Sequence, residues 1–260
     1  MIESEVPRPA GRELHARYSA ADLGVFTAEE ARRFVPDGHG DPGTDSVLAW
    51  ELLYRLEPDL YDQLASAERL HPRILSWMPP SAERIVEVGA GTGRLTLDLI
   101  DRGREVVAIE PAAPLRQTLK RKLARAERGS ARVLHGFFDD LPLPRGFADV
   151  VVACSAFTPA CAHGGDAGLA EMERVCRPGG CVAIVWPNNV DWLTARGYRY
   201  VSFDGPMAVE FPSHQRAVEL SEIFYPRAAE EVRAHGLQRV PYELIGINPP
   251  RDVAYKILSQ

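Results

Sequence analysis

Cysteine is scarce in this chain of 260 residues, and the four present, Cys154, Cys161, Cys176 and Cys181, include no Cys-x-x-Cys pair. That spacing argues against a disulfide framework and a zinc ribbon, so no metal is expected and the four read as small apolar side chains of a reduced protein. Long apolar runs are missing as well. The longest stretch without an acid or a base, Val150 to Gly165, has 16 residues and contains Pro159 and His163, whereas a spanning helix needs about 20 apolar residues. No membrane partner is expected. Lysine is nearly absent, with Lys120, Lys122 and Lys256 the only three among 30 basic residues, which reads as codon composition rather than as a set of anion sites. The formal net charge of -6 gives no general attraction for phosphate backbones, so nucleic acid is not expected as a partner. The first residues, MIESEVPRPAGREL, place acids and prolines where an export signal has a basic start and an apolar run, and the expected compartment is the cytoplasm.

What is present is ordinary for a globular domain: 45% apolar and 25% charged residues, with no repeat and no low-complexity tract. Divisions come from changes in hydrophobic period. Residues 1–80 read as an N-terminal helical cap, with Thr27 and Glu30 forming a capping box before Ala28–Phe34. From Arg84 the pattern becomes short apolar runs alternating with amphipathic helices, the signature of a parallel sheet built from βαβ units. Five strands are expected at Ile85–Val88, Val106–Ile109, Arg132–Leu134, Asp149–Ala153 and Val182–Trp186, within a core spanning 81–186. Residues 187–225 read as an insertion after strand five; Trp186 to Tyr225 holds eight aromatics in 40 residues, against 8% for the whole chain. Residues 226–260 are expected to supply a helix and two strands, Leu237–Ile245 and Val253–Leu258, completing the sheet.

Directly after strand one runs Glu87-Val88-Gly89-Ala90-Gly91-Thr92-Gly93-Arg94-Leu95, a glycine-rich turn opening a helix. Such a turn lets backbone N–H groups approach a ligand at the C-terminal edge of a doubly wound sheet. The dinucleotide fingerprint requires G-x-G-x-x-G, and counting from Gly89 puts Arg94 at its last glycine; the spacing here is G-x-G-x-G. Glu110 closes strand two, 21 residues after Gly89, where a carboxylate can accept both hydroxyls of a ribose.

These features together, an acid before the glycines, G-x-G-x-G and an acid ending strand two, resemble the cofactor site of the class I S-adenosylmethionine-dependent methyltransferases. Gly136–Pro142, Phe147–Val152 and Glu173–Gly180 are similar to later segments of that family. The resemblance implies a doubly wound, mostly parallel seven-stranded sheet of α/β class, a Rossmann-like methyltransferase fold, carrying the N-terminal helical cap and the insertion after strand five. It further implies that S-adenosyl-L-methionine is the cofactor. Glu87, Gly89, Ala90, Gly91 and Gly93 would flank its amino-acid part, Glu110 and Pro111 its ribose, Phe138 and Asp139 its adenine, and Cys154 and Ser155 would lie beside the amino acid again. Phe137 stands where that family often has an adenine-contacting aspartate. Tyr61 and Tyr18, in the helices ahead of the sheet, would cover the cofactor.

The implied reaction is in-line methyl transfer to an oxygen or nitrogen nucleophile of a small organic acceptor, with His163 or His214 as the base and Asp204 and Glu210 as competitors for that role. Trp192, Tyr198, Tyr200 and Phe203 are expected to face an acceptor pocket. The strand-four sequence lacks the Asn/Asp-Pro-Pro-Tyr tetrapeptide of the branch that methylates nucleic-acid bases or glutamine. An NAD(P)-dependent oxidoreductase and a non-catalytic Rossmann-like scaffold stand as the other readings.

Overall fold

Two adjacent apolar runs, Ile85–Val88 and Val106–Ile109, are buried along their whole length, which forces them into the middle of a sheet covered on both faces. The computed structural model describes residues 12–35, 40–79, 82–100 and 105–259; residues 1–11, on which the reading of the amino terminus rests, lie outside them. The described residues fall into two compact units, one made of 70–204 and 250–259, the other of 12–69 and 205–249.

The first unit is built on a seven-stranded sheet. Its strands are β1 (Arg84–Val88), β2 (Glu105–Ile109), β3 (Ala131–Leu134), β4 (Ala148–Cys154), β5 (Cys176–Val185), β6 (Arg199–Ser202) and, after β7 (Ala208–Glu210) and β8 (Arg239–Pro241) of the other unit, β9 (Asp252–Ile257), in spatial order β3-β2-β1-β4-β5-β9-β6. The first five are parallel, while β9 runs antiparallel between β5 and β6. This is the expected α/β class and the expected mostly parallel, doubly wound arrangement. Order reverses between β1 and β4, so the C-terminal ends of β1, β2 and β4 converge on one crevice, the place where open α/β sheets bind ligands. Val86, Val88, Val107, Ile109, Val151, Val182 and Ile184 share one apolar cluster with Met172 and Val175 of the helix Gly165–Val175. β5 begins at Cys176, earlier than the apolar pattern predicts. Ala148 pairs with Cys176 but Val150 with Cys181, so Arg177-Pro178-Gly179-Gly180 bulges out of register, a length mismatch that periodicity alone does not reveal.

The second unit is mainly helical, with Ala28–Phe34, Ser46–Leu56, Pro58–Ala67, His214–Phe224 and Pro226–His235 as its principal helices. Thr27 Oγ1 accepts from Glu30 N at 3.2 Å and Glu30 Oε2 accepts from Thr27 N at 2.9 Å, the expected capping box. Arg55 is the unit's buried cation. Its Nη2 donates to Glu30 Oε1 at 2.9 Å and its Nη1 to Glu51 Oε2 at 2.5 Å, and its guanidinium lies 4.7 Å and 5.0 Å from the ring centroids of Phe26 and Phe34. Tyr225 OH donates to the buried Glu68 Oε1 at 2.5 Å, fixing the helix pair 214–235 to the N-terminal helices.

Two expectations about the chain's second half need correction. Leu237–Ile245 does not enter the large sheet: it forms β8 (Arg239–Pro241), paired antiparallel with β7 (Ala208–Glu210), and the short helix Tyr242–Ile245. The remaining strand of the large sheet is β6 instead, with Tyr200 opposite Ala254 and Val201 opposite Val253. Consequently residues 187–204 belong to the sheet unit, and the excursion lies after β6, over 205–249, rather than after strand five. At the other end, residues 70–79 also belong to the sheet unit: His71 N donates to Pro250 O at 2.9 Å and Trp77 packs edge-on against Tyr255 with centroids 4.8 Å apart.

Candidate active site

The turn after β1 is fastened to the end of β2 by its own backbone. Gly89 N and Ala90 N both donate to Ile109 O, at 2.9 and 3.0 Å, and Gly91 N donates to Glu110 Oε2 at 2.9 Å. The other oxygen of that carboxylate, Oε1, accepts from Ala112 N at 2.8 Å. Glu110, only 5% exposed, thus holds the glycine turn and the start of the helix Ala113–Leu123 with one side chain. Arg116 Nη1 donates to the carbonyls of Glu110 and Pro111 at 2.7 and 2.5 Å, bringing a cation beside the same segment.

Glycine is required at two places in the turn. Gly89, at φ +72°, would set a Cβ 3.0 Å from both Ala156 Cβ and Phe138 Cε1, so the bare backbone is what lets the loops after β3 and β4 close on it. Gly93, at φ +97°, would put a Cβ 2.6 Å from Leu119 Cδ1. Between them stands Thr92, buried, with no hydrogen-bond partner for Oγ1 among the described residues. A buried hydroxyl left unpaired is costly, and its place in this turn suits a polar ligand.

Glu87, on β1 just ahead of the turn, is 1% exposed. Thr96 Oγ1 donates to its Oε2 at 2.5 Å. Burial pushes its carboxyl up from 4.5 to about 8, against the Thr96 hydrogen bond and with help from the nearby Glu110 charge. This acid therefore carries its proton over most of the neutral range.

The strand ends opposite the turn are conformationally unusual. Ser155, after β4, has φ +54°, and Trp186, after β5, has φ +52°; both are in the left-handed region, which a bulky residue seldom adopts. Ser155 N donates to Val185 O and Trp186 N to Asp252 O, each at 2.9 Å. Arg94, which follows the last glycine of the turn, places its guanidinium 5.3 Å from the centre of the Trp186 ring.

A sheet of this order with this turn defines the class of protein, and the sequence comparisons agree. A methyltransferase-domain family profile matches residues 85–180. An uncharacterized methyltransferase of Geobacillus thermodenitrificans is 36% identical over 171 residues, covering 62% of this chain and 78% of the relative. The chain therefore belongs to the class I S-adenosylmethionine-dependent methyltransferase family. An uncharacterized methyltransferase of Mycobacterium tuberculosis is 34% identical over 132 residues, 48% of this chain; the match spans half the length of that relative, 50%. A solved structure, a putative methyltransferase from an antibiotic biosynthesis pathway of Anabaena variabilis, is 16% identical with a TM-score of 0.49, over 74% of this chain and 100% of its own.

Of the residues expected to hold the cofactor, Glu87, Gly89, Ala90, Gly91, Gly93, Glu110 and Pro111 lie together at the ends of β1 and β2. Phe138 joins them by touching the turn, and its ring also meets Phe157 edge-on with centroids 4.7 Å apart. Asp139 is in the same loop and exposed, while Phe137 is buried against His135, with centroids 5.1 Å apart. Cys154 ends β4 opposite Val185 and is followed by the strained Ser155. His163 sits in a 3₁₀ turn, Cys161–His163, of the loop after β4. Tyr61 and His214 belong to the other unit. There Tyr61 packs edge-on against Tyr54 at 4.8 Å and His214 Nδ1 lies 3.4 Å from Leu237 O, and Tyr18 OH donates to Glu57 Oε1 at 2.8 Å.

The expected aromatic pocket is not what its residues form. Tyr198 is a core residue 3% exposed, with its OH 3.3 Å from Glu173 Oε1. Tyr200 lies on β6, 43% exposed, and its OH donates to Asp252 Oδ2 at 2.8 Å. Phe203 stacks on His71 with centroids 5.7 Å apart, under Arg73, and Trp192 packs on the sheet's core beneath Arg196. The cause is the strand correction above: a segment that supplies β6 spends its aromatics on the sheet. Sequence reasoning also passed over Thr92, Arg94 and Trp186. In the sequence, Arg94 reads only as the residue that breaks the dinucleotide spacing, and nothing local pairs it with a tryptophan 92 positions away.

Proposed function

We propose that this chain transfers the methyl group of S-adenosyl-L-methionine to an oxygen or nitrogen of a small organic acceptor. The observation that carries the reading is the glycine turn fastened to Glu110, with Thr92 Oγ1 buried and unpaired within it. Those groups fit the cofactor: a hydroxyl and turn backbone suit its amino acid, and a carboxylate, an acceptor at both oxygens, suits a ribose diol. When bound, S-adenosylmethionine supplies a sulfonium methyl that is electrophilic without further activation. The chain's contribution is alignment and exclusion of water, effects large enough to carry most of a methyl-transfer rate. The net charge of -6 and the Cys154-Ser155-Ala156-Phe157 sequence after β4 favour a small acceptor over nucleic acid.

Where the acceptor arrives protonated, His163 takes the proton, being the candidate base within the sheet unit. His163→Gln should then lower kcat and flatten the acidic limb of its pH profile while leaving cofactor affinity unchanged; an unaltered profile removes it from the reaction. The four thiols, all free, suit a reducing cytoplasmic setting. Calorimetry tests the central claim. Micromolar binding of S-adenosylmethionine and S-adenosylhomocysteine without NADH binding is expected. NADH binding alone would replace the reading with an oxidoreductase, and binding of neither would leave a scaffold.

A further inference from the structure

The segment after β4, Ser155 to Asp166, is made of small and polar residues, and Phe157 is its one large apolar side chain. With so little else to bury, its order depends on that ring. Phe157 is 1% exposed and sits in the sheet's apolar cluster with Leu169 and Met172. The ring is seated against bare backbone: a Cβ at Gly164 would lie 2.4 Å from Phe157 Cε1, and one at Gly168 2.7 Å from the same atom. The backbone carries the ring's position on to His163. Thr158 N donates to His163 O at 3.1 Å, and Gly165 N donates to Thr158 O at 3.2 Å.

The same ring meets Phe138 of the loop after β3 edge-on, and Phe138 is the ring that closes on Gly89. Two packed rings thus join three backbones: the glycine turn, the loop after β3 and the segment that carries His163. Close-packed groups transmit displacement, so a ligand lying against Phe138 narrows the positions open to Phe157 as well. We propose that Phe157 is a positioning residue that seats the His163 segment on Phe138, so that an adenosyl ligand bound against Phe138 also orders residues 158–165. This rests on the S-adenosylmethionine reading above, in which Phe138 lies at the adenine. The candidate base would then be held in place only when the cofactor is.

Hydrogen–deuterium exchange tests this without an acceptor in hand. With S-adenosylhomocysteine bound, amides of 158–165 in wild-type protein should exchange at least about fivefold more slowly, the lower end of coupling between two sites. Saturating adenosine should give most of that protection, and methionine alone none. Phe157→Leu should still bind S-adenosylhomocysteine in the calorimeter, yet exchange at 158–165 alike with and without it. Phe138→Leu, which removes the other ring, should behave the same way and replaces the first variant should that one unfold in a melting curve. A ring that merely fills the core would lower the melting temperature and leave ligand-dependent protection intact. Protection that survives in folded Phe157→Leu therefore overturns the proposal, as does wild-type protein that binds S-adenosylhomocysteine without protecting 158–165, or protection by methionine but not adenosine. Wild-type protein that does not bind S-adenosylhomocysteine is a different failure, that of the cofactor reading itself.

Discussion

Each unit of the molecule buries acids, and the two do it in opposite ways. In the helical unit Glu30 and Glu51 flank Arg55, whose own side chain is enclosed by Phe26 and Phe34. Burial pushes Glu30 upward, but the Thr27 backbone N–H and the Arg55 charge outweigh it and hold the carboxyl below its ordinary range. In the sheet unit Glu87 is buried with a hydroxyl as its hydrogen-bond partner, and burial wins. A buried acid beside a bonded cation is a complete structural element. One raised to about 8 beside the glycine turn has the kind of perturbed titration that functional sites often carry.

The largest expected effect breaks the complete site. Arg55→Met leaves two buried carboxylates without their cation and should cost about 3–5 kcal/mol in urea unfolding, the usual penalty for orphaning a buried charge. A loss under about 1 kcal/mol, the scale of an exposed pair, would erase the contrast between the units. Next in size is Glu110→Ala, measured by calorimetry with S-adenosylhomocysteine. Removing a charge-assisted acceptor of the ribose should weaken binding by about 1.5–3 kcal/mol, at least about tenfold. Because Glu110 also holds Gly91 and Ala112, Glu110→Gln, which keeps one acceptor oxygen, should fall between alanine and wild type. Unchanged affinity in a folded Glu110→Ala protein would remove Glu110 from the ribose site.

The smallest effect sharpens the comparison through pH. Glu87 has a folded value of about 8 against 4.5 when exposed, so between these limits the folded state binds the proton more tightly than the unfolded chain. Stability then falls as pH rises from about 4.5 to about 8. Glu87→Gln cannot lose a proton and should melt higher than wild type near pH 8, with the difference vanishing near pH 4. Glu30 has the opposite sign: its contribution is present above the ordinary carboxylate range and is lost as acid is added. A Glu87→Gln melting curve that parallels wild type at every pH would mean its burial is relieved in solution.

The parts legible in the sequence are those whose causes are local. The capping box at Thr27 and Glu30, the apolar strands β1 and β2, and the glycine turn all rest on neighbours within a few positions. The family profile over residues 85–180 covers the stretch where such signals are densest. β6 was hidden because four residues, Arg199–Ser202, are too short to show a period and find their partner on β9, 50 positions along. Tyr198 and Phe203 look like pocket residues in the sequence and are core residues in the fold, since aromatic content reports burial without naming what is buried against what. The Arg94–Trp186 contact has the same invisibility for the same reason: it is made by topology, where β1 and β5 end at one edge.

That hidden strand has a consequence for how the chain tolerates change. Ser202 on β6 stands opposite Asp252 on β9, and Phe203 N donates to Arg251 O at 2.9 Å. Seen from the sheet, everything in 205–249 is the loop of one antiparallel hairpin, entered and left at the same rung of the ladder. Loop closure becomes costlier only slowly with length, by about 0.6 kcal/mol for each doubling, so the register of β6 and β9 is nearly indifferent to how much chain is carried there.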